Sequence, residues 1–139
     1  MIDPPESAEI LLIYDKECPA CRNYARMVRI RSRLGRLQTI DAREDSAAKE
    51  WVNERGLDLD QGMVVVIGDN FYHGADAMHV LALMSSRSDT WNRINYRTFR
   101  SRRRSRWLYP ILRSLRNTLL RVLRVRKINN LGIAGNDRF

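Results

Sequence analysis

The stretch that most constrains this chain is ILLIYDKECPAC, residues 10–21, where five unbroken apolar residues lead into the only two cysteines. A strand with one wet face alternates apolar and polar residues, and this one does not. It predicts a β-strand at residues 10–14 covered on both sides, the central strand of an α/β sheet. Asp15 to Glu17 predict a turn. Pro19 suits the first position of a helix, where its fixed φ helps and its missing N–H costs nothing. The spacing predicts that this helix runs to about Leu34, with Ala20, Tyr24, Met27, Val28 and Leu34 on an apolar side and Gly35 at its end. Cys18 and Cys21 therefore open a helix that directly follows a buried strand.

Further along, RLQTID at 36–41 predicts a weaker strand. Asp45 or Ser46 can cap a second helix that buries Ala48, Trp51 and Val52 and stops at Gly56. MVVVIG at 63–68 is β-branched and apolar and predicts a strand. Gly68-Asp69-Asn70 turns the chain, and Phe71 to His73 return as a hairpin partner. A third helix is predicted from Ala75 to Ser85. The order strand, helix, strand, helix, strand, strand, helix is that of a thioredoxin-like sandwich, an α/β fold whose central mixed sheet of about four strands is flanked by helices. The predicted organisation is a thioredoxin-like domain at residues 9–86, a basic helical extension at 87–130 packed on or tethered to it, and loose termini at 1–8 and 131–139.

A chain of 139 residues suits one domain and can bury a core without staples, so the two cysteines are not needed to hold the fold. No apolar run reaches the roughly eighteen residues of a spanning helix. The opening MIDPPESAEI lacks the basic-then-apolar pattern of a secretory signal, and the expected location is the cytoplasm. Thiols there are mostly reduced, and a close cysteine pair is more often catalytic or metal-binding than structural.

Three chemistries fit the pair. In thiol–disulfide exchange, a helix start offers Cys18 unpaired N–H groups and a positive dipole end, both of which favour the thiolate that acts as nucleophile. Cys21, one turn on, is close enough to close a disulfide and expel a bound partner. Cys18 would attack, Cys21 would resolve, and Pro19 would stiffen the turn. A zinc site needs four ligands, and only His73 and His79 could complete the set, at a spacing that matches no finger. Two inert buried thiols are the third option. No metal and no organic cofactor is expected. Asp15 has two readings: a carboxylate that accepts the Cys21 proton during resolution, or one that bonds backbone N–H groups in the turn. Tyr14 and Tyr24 are expected to pack. His73 and His79 are expected at the surface or the hairpin end.

Asp15, Cys18 and Cys21 make the pattern D-x-x-C-x-x-C directly after an apolar strand. Together with GMVVVIGDNFYHGADAMHVLALM at 62–84 and LYPILRSLRN in the tail, the chain resembles the DCC-family thiol–disulfide oxidoreductases over about residues 9 to 130. The resemblance implies a thioredoxin-like fold, a redox role and protein or small-molecule thiols and disulfides as partners. Members often have glycine where this chain has Lys16, whose charge could further favour a Cys18 thiolate. Thioredoxins proper place a cis-proline before the third strand, facing the cysteines. The matching position here is Met63 after Gly62, a pair expected to form a substrate-facing loop with an ordinary trans peptide.

The charge is split. Residues 1–86 carry ten Lys/Arg against fourteen Asp/Glu, a net −4, and residues 87–139 carry fifteen against two, a net +13. The segment after the third helix reads as a basic connector with scattered aromatics. A helix is predicted over 107–127 with Pro110 at its start, and Leu108, Ile111, Leu112, Leu115, Leu119, Val122 and Leu123 lie near one face, with Arg113, Arg116, Arg121, Arg124 and Arg126 elsewhere. Such a helix packs on the body, or lies on an anionic membrane through residues 100–127. Nucleic-acid binding through RSRRRSR with Trp91, Tyr96, Phe99 and Trp107 is the least favoured use, because no known binding module is present. The alternative to an enzyme is a non-catalytic adaptor that docks through this helix.

Overall fold

The computed structural model describes residues 9–30, 36–44, 46–86 and 89–139. Its strands and helices are β1 (Glu9–Tyr14), α1 (Pro19–Met27), β2 (Arg36–Asp41), α2 (Ser46–Asn53), β3 (Val64–Ile67), β4 (Asn70–His73), α3 (Ala75–Met84), α4 (Thr90–Phe99) and α5 (Arg102–Val122). Four strands form one sheet in the order β2-β1-β3-β4. β1 is central, parallel to β2 and antiparallel to β3, which pairs antiparallel with β4. The fold is the α/β thioredoxin-like arrangement. β1 is covered on both faces, as its unbroken apolar run demands: Ile10 and Leu12 join Val65 and the residues of α1 and α3, while Leu11 and Ile13 join Val64, Val66 and Val52 of α2.

Three elements differ from the sequence expectation. α1 ends at Met27, not near Leu34, because the side chain of Asn92 intervenes. That buried amide donates to the Met27 carbonyl at 3.1 Å and accepts from the Arg29 N–H at 3.0 Å, so the chain leaves the helix and Ile30 bridges to Ser85. The expected cap at Gly35 and the one at Asp45 lie outside the described residues. Second, the supposed connector contains helix α4, capped by Asp89, whose carboxylate accepts from the Asn92 N–H at 2.8 Å. Third, α5 begins at Arg102, capped by the Ser101 hydroxyl, and carries Pro110 in its interior rather than at its start. Pro110 is exposed, and its missing N–H deprives only one helical carbonyl of its donor. The arginines of its first turn oppose the helix dipole, and Asp76 of α3 offsets them by pairing with Arg102 at 3.5 Å and Arg106 at 3.4 Å.

α5 lies against the side of the body that holds α1 and α3. Leu108, Tyr109, Leu112 and the fully buried Leu120 pack into the core there. Tyr109 sits on two glycines: a Cβ added at Gly62 would lie 2.5 Å from its Oη, and one at Gly74 would lie 3.1 Å from its ring. After α5 the chain turns back. Residues 131–139, expected to be loose, belong to a segment in which Arg126 bridges to Arg138 and the Lys127 N–H donates to the Asp137 carbonyl. The buried Asp60 carboxylate anchors this segment by accepting from the Ile128 and Asn129 N–H groups, both at 2.7 Å. Asp60→Ala leaves both donors unpaired, and a loss of about 2–3 kcal/mol is expected in urea denaturation.

Candidate active site

The site begins at the end of β1. Asp15 is buried, and its backbone carbonyl accepts from the Cys18 N–H at 3.2 Å, which closes the turn before α1. Cys18 is the N-cap of α1 and Pro19 its first residue. The Cys18 Sγ accepts from the Cys21 N–H at 3.2 Å, so a backbone donor at the helix start is already spent on the sulfur. Both cysteines are free thiols; Cys18 is fully buried and Cys21 is 9% exposed.

Arg116 of α5 completes the site, and the sequence reading missed it. By sequence it falls among the arginines away from the apolar face, yet only 9% of its side chain is exposed. Its guanidinium donates to the Asp60 carbonyl, stands 3.9 Å from the Asp15 carboxylate and interacts with both cysteine sulfurs. Burial alone would lower its pKa; the two sulfurs outweigh that and raise it. Asp15 also accepts from the Glu17 N–H at 3.0 Å and holds Arg43 through two bonds, at 2.7 and 3.0 Å. Its carboxylate is thus engaged by two guanidinium groups and a backbone donor. Lys16 is exposed, and the main causes of the shift at Cys18 are Cys21, burial and Arg116.

The surroundings divide the two thiols. Cys18 is lowered to about 6, first by the Cys21 thiol hydrogen bond, then by the Cys21 N–H and Arg116, against the opposing effect of burial. Cys21 is raised well above the ordinary thiol range, first by its hydrogen bond to Cys18 and then by burial. Both shifts run the same way, favouring a thiolate at Cys18 and a protonated thiol at Cys21. A stabilised thiolate beside a protonated partner is the arrangement dithiol chemistry needs.

Beside the pair lies a cleft of about 320 Å³, lined by Cys21, Gly62, Met63, Tyr109, Leu112 and Arg116 among others. Gly62 and Met63, expected to form a substrate-facing loop, lie on this cleft, and the peptide bond between them is trans. The histidines lie apart from the cysteines: a ring nitrogen of His73 bonds the Asp58 carbonyl at 2.7 Å and one of His79 bonds the Phe99 carbonyl at 2.8 Å. Among the described residues no three His, Cys, Asp or Glu side chains are grouped so as to hold a metal ion. Tyr24 is packed edge-on against Trp91 with centroids 5.3 Å apart, and its hydroxyl bonds Asn95.

The signals for Arg116 and Tyr109 were present but easy to misread. Both share a helix face with Leu112 and Leu120, at spacings of three and four residues, which places them against the body.

No curated protein and no solved structure matches the chain. Residues 12–122, which run from within β1 to the end of α5, match the family model described as DCC1-like thiol-disulfide oxidoreductase. With a split cysteine pair at the start of α1 and a match over most of its length, the chain belongs to the DCC1-like thiol-disulfide oxidoreductase family.

Proposed function

We propose that the protein exchanges electrons with thiols and disulfides through Cys18 and Cys21, with Cys18 attacking and Cys21 resolving. The observation that carries this reading is the Cys18 sulfur at the cap of α1, bonded by the Cys21 N–H at 3.2 Å and faced by Arg116. The Cys18 thiolate attacks one sulfur of a substrate disulfide. A mixed disulfide forms at Cys18, and the other half of the substrate leaves as a thiolate that takes a proton from water. The hydrogen bond that held the proton on Cys21 is lost at that moment, so its pKa falls while Arg116 still favours the anion. Cys21 then gives its proton to solvent and attacks the Cys18 sulfur. The second half of the substrate departs as a thiolate. The protein is left oxidised, and the substrate has gained two electrons. Two reducing thiols in succession, or one dithiol, run the same steps backward, leave as a disulfide and restore the pair.

The two sulfurs and Arg116 suffice for this cycle, which takes no metal or organic cofactor. The expected setting is the cytoplasm, where the pair returns readily to the dithiol. Because Cys18 is buried and Cys21 borders the cleft, substrate approaches from the side of Gly62, Met63 and α5. Trapping tests the order of attack. Cys21→Ser is expected to accumulate partners as mixed disulfides at Cys18, identified by mass spectrometry and released by a reductant. No adduct at Cys18, together with no exchange by the wild type, would sink the proposal.

A further inference from the structure

α5 presents a second apolar face that nothing among the described residues covers. Trp107, Ile111, Leu115, Leu119 and Val122 follow one another at helical spacing and are 71%, 47%, 64%, 37% and 73% exposed. The adjoining face of the same helix, with Tyr109, Leu112, Arg116 and Leu120, is the one turned to the body. Five large apolar side chains in line along about fifteen residues exceed the scattered exposure that a soluble surface carries. The seven residues expected to share one apolar face therefore divide between two surroundings: Leu108 and Leu112 pack inward, and the others reach solvent.

We propose that this stripe docks the protein on the surface of a bilayer that contains anionic lipids. The charge around it selects this occupant. Arg103, Arg104, Arg121 and Arg124 are exposed near its two ends, and no Asp or Glu occurs between Asp89 and Asp137. A helix lying in the interface buries aliphatic and Trp side chains roughly 5–10 Å deep and keeps Arg at the headgroups. Clustered Arg then adds attraction to anionic lipid. A second copy would bring one +13 segment against another. A nucleic acid would need several stacking aromatics, but Phe99 is buried, Trp91 rests on Tyr24, and the stripe itself holds a single ring, Trp107, among aliphatic side chains. No helix among the described residues is long and apolar enough to cross a membrane, so the contact is peripheral. Leu115 and Leu119 also line the cleft beside Cys21, and docking brings the mouth of that cleft to the lipid surface.

The docking stands apart from the exchange chemistry and is tested without it. The reduced full chain is sedimented with vesicles of phosphatidylcholine alone or mixed with phosphatidylglycerol, at low and high salt. The double variant Ile111→Asp/Val122→Asp runs alongside, since both side chains are exposed and outside the cleft, and circular dichroism checks its fold. The expected result is binding to the mixed vesicles, weaker at high salt, and weaker by about tenfold or more in the double variant. Three results would overturn the proposal. One is no binding to either vesicle, whether or not single-stranded RNA is retained. Another is binding that the two aspartates leave unchanged or that ignores lipid charge. The third is a dimer in ultracentrifugation without vesicles that the double variant abolishes.

Discussion

Arg116→Gln is expected to move the rate inflection of thiol–disulfide exchange upward by about one pH unit, which slows the reaction about twofold at pH 7 and approaches tenfold as the pH falls below 6, while Cys18→Ser abolishes it. With Cys18 held at about 6, the thiolate dominates at neutral pH; at its unshifted 9.0 only about one molecule in a hundred would carry it. Arg116 supplies part of that shift, after the two hydrogen bonds from Cys21, so its removal forfeits part of the hundredfold. The direction of the pH dependence follows. The folded pKa lies below the unfolded value, so the stability contributed by the thiolate is fully present above about pH 9 and is lost as the pH falls to about 6. The reduced protein should lose stability over that window with a limiting slope of about 1.4 kcal/mol per pH unit, and Cys18→Ser should not. Arg116→Lys separates charge from shape: it should recover part of the rate, because a cation remains near the sulfurs without the fork that spans Asp60 and Asp15. A rate and inflection unchanged in Arg116→Gln would remove Arg116 from the mechanism.

Gly62→Ala is expected to disturb both the packing of α5 and the cysteine pair beneath it. Its new Cβ would lie 2.5 Å from the Tyr109 hydroxyl and 2.8 Å from the Gly74 Cα. The second contact is backbone and cannot swing away. Tyr109 also donates from its hydroxyl to the Gln61 carbonyl at 3.2 Å, so displacing the ring costs a hydrogen bond as well as packing. Overpacking of this kind destabilises by about 1–3 kcal/mol. The more telling consequence is at the sulfur. Tyr109, Leu112 and Arg116 come from one helix, so loosening α5 at Tyr109 uncovers the pair. Alkylation of Cys18 at fixed pH should then accelerate even as denaturation midpoints fall. Lower stability with no faster alkylation would mean that α5 does not guard Cys18.

The fold and the site were legible to different depths. The run at 10–14 announced its place because only a strand buried on both faces can be apolar at every position, and Leu11 and Leu12 do face opposite layers. The Cys-Pro step announced a helix start, and Cys18 is that cap. The end of α1 was not legible, because the residue that stops it is Asn92, far away in sequence. α4 escaped a search for apolar periodicity because two of its three buried positions are Asn92 and Asn95, with Phe99 the third. Both amides satisfy side chains or backbone of α1, which no local pattern records. The early start of α5 was hidden by RSRRRSR, which looks like a solvated charge run, although Ser101 caps it and Ser105 is buried with its hydroxyl bonded to the Phe99 carbonyl. The helix face of Arg116 was legible, but the partners that bury it were not. A buried arginine is costly unless its charge is met, and what meets it, Asp15 and two sulfurs, assembles only in three dimensions.

The whole account turns on the ionisation of one sulfur, and the pH dependence of alkylation in the reduced full chain reports it directly. Peptide mass spectrometry after brief exposure to a small alkylating reagent resolves the two cysteines. The expected midpoint for Cys18 is near 6, with Cys21 unmodified at every pH where Cys18 reacts. A midpoint in the ordinary thiol range of about 8.5, or a Cys21 that reacts first, would contradict it.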